Sequence, residues 1–294
     1  IIDAHTHAYT DSELSSLVGR SDHLDGCLDE DNPNKWSLRQ EPTIEGLLES
    51  EREAGIDRFV LLPVTSNPKR VRELNRWVGR VSTLYPQVIP FGTALPSLPD
   101  LDSVLDEIVL MGMVGVKIHP FLQQVDLLSW EAYRLFRALE ERGLILTLDT
   151  MNLKGLKRFK PHLSHLIAGL DHFTVSAQRI YYVASRFPRL QIVAAHMGCL
   201  YGWDEIEPLL ELSNVYFDTS FVSGIIEDRQ VAEIMEKRGM EHMLFGSDAP
   251  WRRPKDELQW LRSLGISQSD MEMVEGGNFL RLLTRLGREI RWGT

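Results

Sequence analysis

Eight short apolar runs punctuate this chain of 294 residues, and nearly every one is followed by a stretch with helical spacing. The runs cover residues 1–7, 56–64, 87–95, 114–119, 144–149, 191–196, 215–220 and 243–248. Segments such as F-V-L-L-P-V and Q-I-V-A-A are apolar on both faces, as the strands of a parallel sheet covered by helices are. Helices are expected over 43–54, 67–85, 101–112, 130–143, 177–187, 203–212, 227–238, 255–264 and 269–283. Alternating strands and helices give an α/β architecture, and eight such units over roughly 250 residues close into a (β/α)8 TIM barrel. An open doubly wound sheet is the runner-up. It is weakened because neither G-x-G-x-x-G nor G-x-x-x-x-G-K follows a strand. No linker divides the chain, so residues 1–294 are expected to form a single domain. Two long polar insertions, 8–41 after the first strand and 151–175 after the fifth, are the places for a lid or binding loop.

Composition narrows the function. A formal net charge of −10 disfavours nucleic acid as a partner. Two cysteines, Cys27 and Cys199, do not make a disulfide framework, so a reducing, cytoplasmic setting is the default expectation. No apolar run reaches the ~18 residues that span a membrane, and no secretory leader is legible. A small-molecule substrate is therefore expected. Oligomeric state is open, with a homodimer as the guess.

The strands end in polar residues, and in such a barrel the active site lies at those ends. The first strand carries Asp3, His5 and His7; side chains alternate along a strand, so all three are expected to face one way. Two imidazoles at i and i+2 on a rigid strand can hold one metal ion. Strand four supplies Lys117 and His119, strand five Thr147 and Asp149, strand six His196, strand seven Asp218 and Ser220, and strand eight Asp248. Buried polar groups are costly without partners, so these residues make most sense as one converging cluster.

H-T-H after strand one, H-M-G after strand six and G-S-D-A-P after strand eight resemble the amidohydrolase superfamily. The similarity is to its amidohydrolase-related group, which includes metal-dependent hydrolases and the aminocarboxymuconate-semialdehyde decarboxylase type. The run G-V-K-I-H-P and the closing G-G-N-F-L-R-L-L extend the likeness from Ile1 to Leu283. The resemblance implies that His5 and His7 are metal ligands. It makes Asp248 a ligand or a general base, and His196 a second-site ligand or a group that polarises the substrate. A bound divalent ion lowers the pKa of water toward ~7, and a neighbouring carboxylate can shuttle the proton. Zinc is the first expectation for the ion, with manganese or magnesium as alternatives.

The chain departs from the family's pattern at strand five, where mononuclear relatives supply a histidine and this sequence has Asp149. Three readings stay open: Asp149 binds the metal through oxygen, favouring a harder ion; His162 or His165 swings in from the long loop; or no metal is bound. Lys117 matches the lysine that is carboxylated in binuclear relatives; it could instead pair with Asp149 or bind an anionic substrate. His119 is a core histidine or a substrate contact. Asp3 and Asp218 are expected to orient ligands. Trp251 and Arg252 are expected to line the pocket, where an arginine can clamp a carboxylate; a solvated loop is the alternative for Arg252 and Arg253. The basic cluster from Lys154 to Lys160 reads as a solvated helix face, with attraction of an acidic substrate as its functional alternative. Cys199 reads as packing, and His23, His172 and His242 as surface or structural. The expected activity is metal-dependent hydrolysis of a small, possibly anionic amide, ester or lactone through activated water. A non-oxidative decarboxylase, a metal-independent lactonase and a barrel without chemistry are the alternatives, which spacing does not separate.

Overall fold

The strands take their register from apolar side chains that alternate between the barrel interior and the surrounding helices. In the computed structural model, which describes residues 1–14 and 25–288, they are β1 (Ile2–Thr6), β2 (Arg58–Leu61), β3 (Val88–Thr93), β4 (Gly115–Ile118), β5 (Ile145–Leu148), β6 (Ile192–Ala194), β7 (Val215–Asp218) and β8 (Met243–Leu244). His23 lies outside the described residues. All neighbours pair in parallel, in the order β1 to β8. The ring closes because the Ala4 amide donates to Phe245 O at 2.8 Å, that of His7 to Ala249 O at 2.7 Å and that of Asp248 to His5 O at 2.8 Å. This is the expected (β/α)8 barrel.

The barrel's interior is layered. Ile2, Val60, Phe91, Ile145, Val193 and Leu244 form an apolar floor, closed from below by Phe279 and Leu282 of the helix Asn278–Arg285. Burying each such side chain is worth about 1.5–3 kcal/mol. Toward the C-terminal ends of the strands the interior turns polar, with Thr93, Lys117 and Thr147 buried there, and the site begins. The opposite strand faces, with Val116, Leu146, Ile192 and Phe217, pack under the helices.

Several expected elements are shorter than the pattern suggested. The sheet ladders stop before His119, Asp149, His196 and Asp248, which sit just past their strands where the chain turns into loops. The stretch 203–212 is not an α-helix but two 3₁₀ turns, Trp203–Glu205 and Glu207–Leu209. Pro208 there lacks an N–H, and its ring would collide with the preceding turn of an α-helix. The closing helix is also interrupted: Gln268–Glu272 and Asn278–Arg285 flank a wide turn at Met273–Gly277. The insertion after β5 contains a helix, Leu153–Phe159, capped by Asn152, whose side chain accepts from Lys154 N at 3.0 Å and Gly155 N at 3.1 Å. No helix among the described residues is long and apolar enough to cross a membrane.

Asp3 does not share a face with the two histidines. The register of β1 against β2 shifts between Asp3 and Thr6. Ile2 and Ala4, on either side of Asp3, lie in the apolar cluster of the interior, so Asp3 turns outward. Its Oδ1 accepts from the backbone amides of His5 and Ser247, both at 3.0 Å. Burial raises this carboxyl to about 7, and Asp218 adds to the rise.

Candidate active site

Strand ends of β1, β4, β5, β6, β7 and β8 bring His5, His7, Lys117, His119, Asp149, His196, Asp218, Ser220 and Asp248 together; all but His119 are buried. Two parts of this cluster can be separated by where their protons go.

In the first part, hydrogen bonds fix the ring nitrogens. His5 donates from Nδ1 to Asp218 Oδ2 at 2.8 Å. Burial, with the Lys117 ammonium, pushes His5 down to about 4, so the ring is neutral and its Nε2 carries a lone pair. That Nε2 lies 3.0 Å from Lys117 Nζ and 3.6 Å from Asp248 Oδ1. His7 donates from Nδ1 to Leu62 O at 2.7 Å, which turns its Nε2 toward Asp248 Oδ1 at 3.3 Å. Burial opposes the charge on Asp248, but His7, His5 and His196 together hold it below the usual carboxylate range. His5, His7 and Asp248 thus point three ligand atoms at one another, all within 4.8 Å. With both Nδ1 protons committed elsewhere, a cation is the group that such a set of acceptors fits, and the outer hydrogen bonds are those that orient metal-binding imidazoles. The residues present therefore suit a divalent ion. His5, His196 and Asp218 also lie within 4.8 Å of one another. There the Ser220 hydroxyl fills the space, 3.1 Å from His5 Nδ1 and 2.8 Å from His196 Nδ1, while donating to Asp218 Oδ1. That group is a hydrogen-bonded hub. It holds Asp218 well below its usual range through His5, His196 and Ser220, against the effect of burial.

In the second part, nitrogen donors surround Asp149. Its Oδ2 lies 3.4 Å from Lys117 Nζ, 3.4 Å from His119 Nε2 and 3.3 Å from His196 Nε2. Against burial, these three neighbours hold the carboxyl well below its usual range. His119 is pushed down to about 4 by burial and accepts from Leu122 N at Nδ1. His196 is the reverse case: burial lowers it, but Asp149, Asp248 and Asp218 raise it to about 9. It is an imidazolium at neutral pH, donating from Nδ1 to Ser220 O at 3.0 Å. Asp149 belongs to neither of the two three-ligand groups.

Backbone strain accompanies this geometry. His196, Met197 and Asp248 have φ of 57°, 57° and 68°, in the left-handed region, at a cost of about 1–3 kcal/mol each. Two motif glycines make the room. A Cβ on Gly198 would meet the Phe217 ring at 2.5 Å, and one on Gly246 would lie 3.0 Å from the His5 Cβ.

Other expected site residues lie elsewhere. Arg252 is not on a solvated loop. It is buried, donates to the carbonyls of Pro33 and Ser223, and stacks over Phe221 at 4.6 Å. Arg253 is exposed, and Trp251 is half-buried with its amide on Asp248 O at 2.9 Å. Lys160 is not on a solvated face: it is fully buried and paired with Asp25, which also accepts from His162 Nε2 at 2.8 Å. His162 is thereby held away from the three-ligand groups, and His165 is exposed. The Cys199 thiol is buried and pushed up to about 12, as a packing residue would be. The role of Ser220 as a hub is new with the structure. Its spacing of two from Asp218 is the signal that places both on one face.

The family model for amidohydrolases matches residues 2–285. The chain belongs to the amidohydrolase family. This amidohydrolase matches no curated protein. Among solved structures it is similar to an uncharacterised TIM-barrel protein from Bordetella bronchiseptica, with a TM-score of 0.72 and 21% identity over 98% of this chain and 99% of that one. It is also similar to 5-carboxyvanillate decarboxylase from Sphingomonas paucimobilis, with a TM-score of 0.68 and 17% identity over 97% and 98%. A third is dihydroxybenzoic acid decarboxylase from Polaromonas sp. JS666 with bound manganese and 2-nitroresorcinol, with a TM-score of 0.71 and 17% identity over 98% and 97%. At these identities the likeness is one of fold.

The His196 imidazolium gives this amidohydrolase a measurable pH response. Its pKa is raised from 6.5 to about 9 in the folded state. The stabilisation is fully present below 6.5 and is lost as pH rises through 9, because the unfolded chain has already released the proton. Chelator-treated protein is expected to lose stability on the order of 3 kcal/mol between pH 6.5 and 9. Urea midpoints should fall across that window in the parent and stay flatter in His196→Gln. Parallel curves for the two would remove the imidazolium from the account.

Proposed function

We propose that this amidohydrolase removes CO2 from a small carboxylic acid without redox chemistry. The observation that best supports the reading is the charge balance of the buried cluster. Asp149, Asp218 and Asp248 are carboxylates, Lys117 and His196 are cations, and His5 and His119 are neutral. One negative charge is left over. A divalent ion on His5, His7 and Asp248, with both imidazoles as neutral ligands, turns this into one positive charge. The buried excess calls for an anion in the site, and a substrate carboxylate supplies one. Structural similarity to two enzymes named as decarboxylases of aromatic acids supports the same substrate chemistry. The manganese bound in one of them supports manganese ahead of zinc as the ion.

His5, His7 and Asp248 would hold the ion, which supplies Lewis-acid stabilisation of substrate oxygens. Lys117, whose Nζ lies between His5 and Asp149, anchors the carboxylate that departs. Breaking the carbon–carboxylate bond leaves an electron pair on carbon, which flows into an adjacent unsaturated group and then takes up one proton. His196 carries an acidic proton, so protonation of that carbon is assigned to it. Asp149 keeps the imidazolium charged until the proton leaves, and solvent restores it. Asp218 fixes the tautomer of His5, and Ser220 holds the His196 ring in place.

The test incubates manganese-loaded protein with hydroxybenzoates, vanillate-type acids and unsaturated dicarboxylic acids, and measures CO2 by mass spectrometry. A parallel panel of esters, lactones and amides is followed by acid release. CO2 from at least one acid is the expected result. Acid release from the second panel with no CO2 from the first would return the site to metal-dependent hydrolysis.

A further inference from the structure

The two oxygens of Asp149 are in opposite situations. Oδ2 is crowded by Lys117, His119 and His196 at 3.3–3.4 Å. Oδ1 is buried and has no hydrogen-bond partner within the protein. The residue is 5% exposed and stands past Ile145 and Thr147 on the inward face of β5. Its contacts come from the ends of β4 and β6, so the bare oxygen lies in the cluster at the mouth of the barrel. Leaving a buried acceptor unpaired is costly, and more so when it is charged.

The other described buried carboxyls with a bare oxygen, Asp3, Glu51 and Glu257, are raised by burial toward the neutral acid. Asp149 is instead kept ionised by its neighbours. Its bare oxygen therefore stays a strong acceptor. A metal ion is a poor candidate to satisfy it, since Asp149 belongs to neither of the three-ligand groups. A hydrogen-bond donor on a neutral part of the ligand can satisfy it instead.

We propose that Asp149 Oδ1 accepts a hydrogen bond from an O–H or N–H group of the substrate, so that the site selects hydroxy- or amino-substituted acids over acids without such a donor. The nature of the acid rests on the decarboxylase reading; the acceptor rests on the geometry of Asp149. A site built to accept a hydrogen bond rejects an analogue lacking the donor, because its own buried polar group is then left unpaired.

The experiment measures binding, not turnover. Calorimetric titration of manganese-loaded protein compares 2-, 3- and 4-hydroxybenzoate, each with its fluoro counterpart, which is close in size and has no donor. In at least one pair the hydroxy acid is expected to bind about 10- to 100-fold more tightly. In Asp149→Asn the side-chain oxygen stays with Lys117, His119 and His196 and the NH2 turns toward the ligand. The preference should then collapse to within about threefold, with manganese content unchanged by plasma mass spectrometry. Equal binding of hydroxy and fluoro acids in the parent overturns the proposal, as does failure of all of them to bind. A preference that survives in Asp149→Asn, or loss of manganese in that variant, overturns it too. CO2 release is scored separately, so an active decarboxylase with no hydroxyl preference refutes this inference while leaving the reaction standing.

Discussion

Replacing His5 with alanine is expected to strip the metal from this amidohydrolase and to lower its activity more than about 100-fold, beyond the effect of losing an outer-shell partner. His5 is the shared member of both three-ligand groups and is fully buried. Its Nε2 faces Asp248 and Lys117, and its Nδ1 satisfies Asp218. The substitution removes one ligand of three and takes from Asp218 Oδ2 the donor it has in His5. Metal content of dialysed protein should fall from about one equivalent per chain to background, measured by plasma mass spectrometry. Circular dichroism would check that the variant is folded. A folded His5→Ala protein that keeps its metal would place the ion elsewhere, and a metal-free one with undiminished turnover would remove the ion from the reaction.

That His5, His7, Lys117, Asp149, His196, Asp218 and Asp248 converge was legible because the barrel imposes it. Eight apolar runs with interleaved helices admit few closures, and inward residues at successive strand ends must meet. What could not be read depends on partners distant in the chain. The turn of Asp3 away from the histidines comes from the irregular pairing of β1, whose neighbours are β2 and β8. The burial of Arg252 was not legible because its hold on the carbonyls of Pro33 and Ser223 has no sequence signature. Lys160 looked solvated because it sits in a basic cluster, and Asp25, which buries it, lies 135 residues earlier. The break at Pro208 was a local signal that the apolar spacing of 203–212 outweighed.

Asp25 and Lys160 carry the largest expected effect on stability. Both are fully buried, and they join the segment after β1 to the one after β5. Asp25 also accepts from Trp36 N at 2.8 Å and from His162, while the Lys160 ammonium lies 4.4 Å above the Trp36 ring. Removing one partner of a buried pair leaves the other charge uncompensated, at a cost of about 3–5 kcal/mol. Lys160→Met is therefore expected to lower the melting midpoint by roughly 10 °C, at about 2–4 °C per kcal/mol for a domain of this size. Asp25→Leu should do the same. The double variant should recover most of the loss, because a buried ion pair replaced by apolar groups is often close to neutral. Additive losses in the double variant would mean that each residue acts through its other contacts, Asp25 through Trp36 and Lys160 through the indole face. If the pair behaves as a unit, the two long insertions are tied at one buried point, and the single variants should weaken binding at the barrel mouth as well as stability.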